Sequence, residues 1–211
     1  MQILKNQYKA VILDLGSVIL DIDYQLTIDA FKALGYNGFD DQYSKMKQSD
    51  TFDLLETGKI TEADFIHRMK QAIPNAMDEE IIAAWNALIL DFPAGRFETL
   101  MAIKNHHKTF LLSNTNAIHL KEFSKTLKRA TGYDSLAPYF DKLYLSHEIG
   151  LRKPNPEAFG LILKEQNLEP QDTLFVDDSP QHIDAARKLC INTFHIENGT
   201  TLEDLFRAFL T

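Results

Sequence analysis

The chain has 211 residues, with 22 basic against 30 acidic side chains and a formal net charge of −8. That length suits one domain or a domain carrying an insertion, and a hydrophobic content of 45% excludes a mainly disordered chain. The acidic balance argues against a nucleic-acid partner, and no apolar run approaches the roughly 20 residues that span a bilayer.

The first apolar, β-rich run covers residues 8–13 and predicts a strand buried on both faces. Residues 20–92 then carry helix signals and no convincing strand. Leu26, Ala30, Phe31 and Leu34 lie at helical spacing, with Gly35 as a stop. Glu56-Thr57-Gly58-Lys59-Ile60 reads as a helix stop and a turn. Thr61-Glu62-Ala63-Asp64 is a capping-box-like start for a helix bearing Ile66, Met69 and Ile73, and Pro74 ends it. Asp78 opens a further helix with Ile81, Ile82, Trp85, Leu88 and Ile89, closed before Pro93. Phe52, Phe65 and Trp85 read as core of this helical stretch. His67, three residues from Asp64, reads as a surface pair, and His106-His107 as a helix terminus.

Four more strand-like runs follow, at 109–112, 143–145, 173–176 and 192–196. Helical patterns at 117–129 and 155–166, and one beginning at Ser179-Pro180, separate them. In the last of these Ile183, Ala186 and Cys190 share one face, which makes Cys190 packing material. An amphipathic segment with Leu202, Leu205, Phe206 and Phe209 closes the sequence. Alternating β and α elements predict an α/β fold, a Rossmann-like, doubly wound parallel sheet. Its core would comprise residues 1–19 and 93–211, with a helical domain of 20–92 inserted. One cysteine and a start, Met1-Gln2-Ile3-Leu4-Lys5, without a signal-peptide apolar region lead to the expectation of a cytoplasmic protein, a monomer or weak dimer with no membrane partner.

Polar groups follow four of the five strands. Asp14 ends the first. Ser113-Asn114-Thr115-Asn116 ends the second. Lys153 lies eight residues past Leu145, in Gly150-Leu151-Arg152-Lys153-Pro154. Asp177-Asp178 ends the fourth. Open α/β sheets bind ligands beyond the carboxyl ends of their strands, so these groups converge on one edge. Each type has a use in phosphoryl transfer. A carboxylate such as Asp14 can attack phosphorus. An acidic pair can hold Mg²⁺, whose charge offsets the repulsion between an anionic nucleophile and an anionic substrate. Ser113 and Lys153 can donate to phosphoryl oxygens.

The four segments resemble the four motifs of the haloacid dehalogenase-like hydrolase superfamily, over the whole chain. The matching runs are Val11-Ile12-Leu13-Asp14-Leu15-Gly16, Leu111-Leu112-Ser113-Asn114, Lys153 in Arg152-Lys153-Pro154, and Phe175-Val176-Asp177-Asp178-Ser179-Pro180. The resemblance implies strand order 5-4-1-2-3 and a type 1 helical cap over 20–92. It implies Asp14 as nucleophile forming an aspartyl phosphate. Asp178 would bind Mg²⁺ directly, with Asp177 in support and the Gly16 carbonyl as a backbone ligand. Ser113, Asn114 and Lys153 would bind the substrate phosphate. Such caps often carry a Gly turn near the substrate, which points weakly to residues 56–60.

One position departs from the common phosphatase pattern. Gly16 stands where a second Asp usually protonates the leaving group and activates water, help typically worth about 10²–10⁴-fold in rate. The stretch from Asp14 to Asp23 and the run Leu111-Leu112-Ser113-Asn114-Thr115-Asn116 are similar to the α-D-glucose-1-phosphate phosphatase subgroup, which also has glycine there. The implied activity is hydrolysis of a small phosphomonoester, such as a sugar 1-phosphate, and the partner a small phosphorylated metabolite. Asp21, Asp23, His147 or a cap residue would stand in as the acid. Two alternatives remain open at this point. One is another hydrolase of the superfamily: a dehalogenase, which the pair Asp177-Asp178 argues against, or a phosphonate hydrolase using a cap lysine among Lys32, Lys45, Lys47, Lys59 and Lys70. The other is an impaired protein that only binds a phosphorylated ligand.

Overall fold

The computed structural model describes residues 2–43, 50–197 and 199–210. Its first strand, β1 (Ala10–Leu13), is buried along its whole length. A tight loop follows, in which the Leu15 carbonyl accepts from both Ile19 N and Leu20 N, and Ser17 N donates to Leu20 O. Among the described residues five helices come next: α1 (Tyr24–Ala33), α2 (Phe39–Gln42), α3 (Asp50–Glu56), α4 (Glu62–Ala72) and α5 (Asp78–Asn86). The chain then alternates: α6 (Arg96–Lys104), β2 (Lys108–Ser113), α7 (Ala117–Thr131), β3 (Lys142–Leu145), α8 (Ser146–Ile149), α9 (Pro156–Gln166), β4 (Thr173–Asp177), α10 (Pro180–Lys188), β5 (Asn192–His195) and α11 (Leu202–Leu205). Lys45 and Lys47 lie outside the described residues.

The five strands form one parallel sheet in the order β3-β2-β1-β4-β5, the order that the resemblance implied. Successive strand residues point to opposite faces, which explains the near-continuous hydrophobicity of the runs. Val11, Leu13, Leu111, Leu174 and Val176 face a core closed by Leu100 and Ile103 of α6, Phe123 and Leu127 of α7, and Leu202 of α11. Ala10, Ile12, Phe110, Leu112 and Phe175 face a second core, closed by Phe159 and Ile162 of α9 and Ile183 and Ala186 of α10. With β2 on one side of β1 and β4 on the other, the carboxyl end of β1 opens onto the crevice where this architecture binds ligands.

Helices α1 to α5 enclose a third core of their own, built on Phe31, Phe39, Phe52, Phe65, Ile81 and Trp85. Phe52 and Trp85 stack with ring centroids 5.2 Å apart. The local signals explain the boundaries. Asp23 caps α1 by accepting from Gln25 N. Thr61 and Asp64 form the reciprocal capping box that opens α4, with bonds of 3.1 and 3.0 Å. At the end of α5 the structure corrects the periodicity. Leu88 and Ile89 continue the helical spacing, but the helix stops at Asn86. Leu88 N donates to Thr27 Oγ1 at 3.0 Å, and Ile89 forms an antiparallel bridge with Ile22. The two crossings between sheet and helices therefore run side by side, tied by Asp21 N to Asp91 O, Asp23 N to Leu88 O and Leu90 N to Asp21 O. Cys190 is also corrected. Helix α10 ends at Lys188, so Cys190 falls beyond it, exposed and at φ +61°, and packs nothing. Among the described residues no helix is long and apolar enough to cross a membrane.

Candidate active site

The strand ends bring Asp14, Lys153 and Asp177 into direct contact. Lys153 Nζ donates to Asp14 Oδ1 at 2.6 Å and to Asp177 Oδ2 at 2.7 Å. Lys153 and Asp177 have no solvent exposure, and Asp14 has 8%. Below the ammonium lies the Phe175 ring, 5.4 Å from Nζ to centroid. A lysine this deep is possible only because two carboxylates share its charge. The loop carrying Lys153 is held from β2: Lys153 N donates to Asn114 Oδ1 at 2.9 Å, and Asn114 Nδ2 donates to Lys153 O at 2.8 Å. Both functions of the Asn114 amide are thus engaged by the backbone of Lys153. The turn after β2 is braced by Ser146, whose hydroxyl accepts from Thr115 N and donates to Thr115 O, both at 2.9 Å.

Asp177 has further partners. Its Oδ1 accepts from Ser179 N at 2.7 Å, and His182 Nδ1 lies 3.1 Å from both oxygens. Asp178, the next residue, is half-buried and faces the cavity above Asp14. Ligand oxygens of Asp14, Asp177 and Asp178 lie within 4.8 Å of one another.

The electrostatics of the cluster follow from burial and pairing. Burial pushes the Asp14 carboxyl up to about 7, against the pull of Lys153, and the charges of Asp177 and Asp178 add to the rise. Burial acts on Asp177 in the same sense, but Lys153 and His182 outweigh it and hold that carboxyl well below its ordinary range. Burial disfavours the Lys153 ammonium, and the two carboxylates overcome this and keep it charged.

A cavity of about 90 Å³ opens over this cluster. Asp14, Gly16, Ser113, Asn114 and Asp178 line it from the sheet, Arg152 from the loop before Lys153, and Tyr24, Tyr43 and Glu56 from the helical insertion. Lys153 and Asp177 do not line it; they lie behind Asp14. The carboxyl and imidazole groups expected to replace the missing acid are elsewhere. Asp21 and Asp23 are exposed, and Asp23 caps α1. His147 is absent from the lining, and its backbone carbonyl sits under the turn at Gly58. Glu56, in the turn that the resemblance pointed to, lines the cavity, and so do Tyr24, Tyr43, His119 and Arg152, which the spacing did not single out. Burial drives His119 down to about 3, so it stays neutral there. It stacks on Trp85 and its Nδ1 meets Asn86 Oδ1 at 2.9 Å, which makes it part of the joint between α5 and α7. His67 is exposed, and His107 lies past the end of α6, directly before β2, buried with Nδ1 on Tyr8 O.

Position 16 has a steric reason to be small. A Cβ there would meet Ile22 Cδ1 at 2.6 Å. A larger side chain at 16 would have to displace the tip of Ile22 from the crossing segment. Among the described residues no lysine of the insertion lines the cavity: Lys32 pairs with Asp40, Lys70 pairs with Asp78, and Lys59 is exposed.

Comparison with known proteins identifies the family. A family model described as haloacid dehalogenase-like hydrolase matches residues 8–189. The sequence is 32% identical over 197 residues to a D-ribitol-5-phosphate phosphatase of Bacteroides thetaiotaomicron, covering 90% of this chain and 93% of that protein. The fold is similar to the crystal structure of a haloacid dehalogenase family enzyme from Bacteroides thetaiotaomicron in complex with magnesium and inorganic phosphate. There the TM-score is 0.84 and the identity 31%, over 95% of this chain and 100% of that one. It is also similar to a haloacid dehalogenase-like hydrolase from Porphyromonas gingivalis, with TM-score 0.81 and 25% identity over 92% and 93% of the two chains. On the matched family model and these relatives, the chain belongs to the haloacid dehalogenase-like hydrolases.

Proposed function

We propose that the chain is a Mg²⁺-dependent phosphatase that hydrolyses a small phosphorylated sugar or sugar alcohol through an aspartyl phosphate on Asp14. The observation that carries the reading is the cluster itself. A buried ammonium lies between Asp14 and Asp177, and Asp178 turns toward a cavity that Asp14 also lines. A protein that only bound phosphate would gain nothing from a carboxylate placed against its ligand.

The donor set fits a hard divalent cation. Asp14 and Asp178, with Asp177 in support and the Gly16 carbonyl nearby, would hold Mg²⁺, whose charge when bound offsets the repulsion between Asp14 and the phosphoryl group. In the first step an Asp14 oxygen attacks phosphorus, the bond from phosphorus to the ester oxygen breaks, and the leaving alkoxide takes a proton from solvent. In the second, water attacks phosphorus, the acyl phosphate bond breaks, and Asp14 and inorganic phosphate are released with loss of a proton to solvent. Lys153 holds the reacting carboxylate in place and lowers the cost of its charge. Ser113 lines the cavity beside Asp14, where its hydroxyl would donate to a phosphoryl oxygen. Asn114 supports phosphate binding by fixing the backbone of Lys153.

The relative that acts on D-ribitol 5-phosphate favours a phosphorylated polyol over a sugar 1-phosphate. Residues 20–92 would act as a cap domain over a core of 1–19 and 93–211. A cavity of about 90 Å³ is small beside the roughly 300–1,000 Å³ of ordinary ligand pockets, so the cap would open to admit substrate and close to exclude water. The paired crossings at 21–23 and 88–91 are the natural hinge. The test is phosphate release from a panel of polyol and sugar phosphates, including D-ribitol 5-phosphate and sugar 1-phosphates, with Mg²⁺ and with EDTA. Metal-dependent release is expected, fastest with an open-chain polyol phosphate. Release that is indifferent to EDTA, or none from any ester with folded protein and Mg²⁺, overturns the reading.

A further inference from the structure

The cavity has a second polar wall, away from the reacting carboxylates. Arg152 builds it from the sheet side. One terminal nitrogen donates to Asp53 and the other lies 3.0 Å from Glu56 Oε2, both on α3 of the insertion. The remaining donor, Nε, is buried and has no hydrogen-bond partner among the described residues. A buried, unmet donor is costly, and it marks a place where a ligand acceptor is favoured. Glu56 is 6% exposed and lines the same cavity, as does Tyr24. Burial, then the negative charges of Glu56 and the sheet carboxylates, keep the Tyr24 phenol protonated, so it remains a hydroxyl donor.

The wall is positioned by sequence adjacency. Lys153 reaches under Asp14 while Arg152, one peptide earlier, reaches to the insertion. The phosphate end and this wall are therefore held at a fixed span. With the insertion seated on the sheet domain, the turn that ends α3 lies directly on α8: a Cβ at Gly58 would stand 2.2 Å from the His147 carbonyl oxygen.

Resting on the phosphatase reading above, we propose that Glu56, Arg152 and Tyr24 form the subsite for a polyhydroxylated leaving group. Glu56 accepts from its hydroxyls, and Arg152 Nε and the Tyr24 hydroxyl donate to them. A hydroxyl both donates and accepts, which is what a fixed guanidinium–carboxylate pair offers on adjacent atoms. Arg152 also offsets a carboxylate charge that would otherwise repel the phosphoryl group. An aryl or alkyl ester brings no such acceptor and leaves Arg152 Nε unmet, the situation in which sites discriminate most strongly.

The experiment compares kcat/KM for D-ribitol 5-phosphate and for p-nitrophenyl phosphate in the wild type, Glu56→Gln, Arg152→Lys and Tyr24→Phe. A control, Lys121→Met, breaks a second ion pair seen among the described residues between insertion and sheet domain, Lys121 to Glu62 at 2.5 Å. The ratio of polyol phosphate to nitrophenyl phosphate is expected to fall at least tenfold in Glu56→Gln and Arg152→Lys, mainly through KM, and by less in Tyr24→Phe. Lys121→Met should leave the ratio within twofold. An unchanged ratio in folded Glu56→Gln and Arg152→Lys overturns the proposal, because the pair then serves only to fasten the insertion. A ratio that falls as far in Lys121→Met overturns it as well. Should the wild type release phosphate from neither ester, the phosphatase reading itself fails, an outcome distinct from an active enzyme with an unchanged ratio.

Discussion

Lys153→Met isolates the interaction on which the site is built. Methionine keeps an unbranched stem over Phe175 and removes only the ammonium. Asp14 and Asp177, which now share that charge at 2.6 and 2.7 Å, are left buried against each other. Removing one partner of a buried ion pair costs about 3–5 kcal/mol. In a chain of this size each kcal/mol lowers Tm by roughly 2–4 °C, so the loss is on the order of 6–20 °C. The pH dependence gives the sharper signature. Without Lys153 the Asp14 carboxyl, already near 7 with the lysine in place, is pushed higher, and Asp177 loses one of the two cations that hold it low. A carboxyl raised on folding costs the native state nothing below its unfolded value, and the cost grows with pH until the pH passes its folded value, which the variant raises above 7 for Asp14. The deficit of the variant is therefore largest at pH 8 and shrinks toward pH 5. Urea denaturation of both proteins in EDTA at pH 5, 6.5 and 8 reads this directly. A deficit of the same size at all three values, or none at pH 8, would refute the ion-pair account.

Other consequences are read more briefly. Gly58→Ala drives a Cβ into the backbone oxygen of His147 at φ +67°, whereas Gly16→Ala meets only the movable tip of Ile22; urea denaturation should show Gly58→Ala losing at least 2 kcal/mol more, roughly. His119 is neutral and buried with a value near 3, below the ordinary 6.5, so its contribution is whole above pH 6.5 and is lost as pH falls toward 3. The slope is at most about 1.4 kcal/mol per pH unit. The stability of His119→Gln should accordingly vary less with pH between 6.5 and 5 than that of the wild type, and an equal slope contradicts the assignment. Mg²⁺ at about 100 times its dissociation constant should stabilise the wild type by about 2.7 kcal/mol in thermal melts, and Asp178→Asn should lose that increment.

Much of the sheet domain was legible because its strands are buried on both faces. Residues 109–112 and 173–176 stand out as apolar runs, and the observed strands exceed them by only a residue or so at either end. Asp14, Ser113 and Asp177-Asp178 were legible for the same reason: a polar residue after such a run marks a strand's carboxyl end. The cap box at Thr61 and the proline start at Pro180 were legible from local hydrogen-bonding chemistry. The rest depends on contacts across the chain. Arg152 and Asp53 are 99 residues apart, and no spacing rule joins them. Tyr24 and Glu56 enter the cavity because of how the insertion lies over the sheet, which periodicity does not fix. Asp21 and Asp23 drew attention as carboxyls near the nucleophile, yet one is on the crossing segment and the other is a helix cap. Leu88 and Ile89 kept the helical beat, and side-chain pairing with Thr27 overrode it. Helices α2 and α8, four residues each, are too short to leave a period.

The central claim is that Asp14 carries the phosphoryl group. It is tested most directly by quenching the enzyme during turnover of D-ribitol 5-phosphate with Mg²⁺, reducing with borohydride and mapping the peptides by mass spectrometry. An aspartyl phosphate is reduced to homoserine, so the account predicts homoserine at position 14 and at no other aspartate, only when substrate and metal are both present. Continued turnover with Asp14 unmodified, or with homoserine at Asp177 or Asp178 instead, would contradict it.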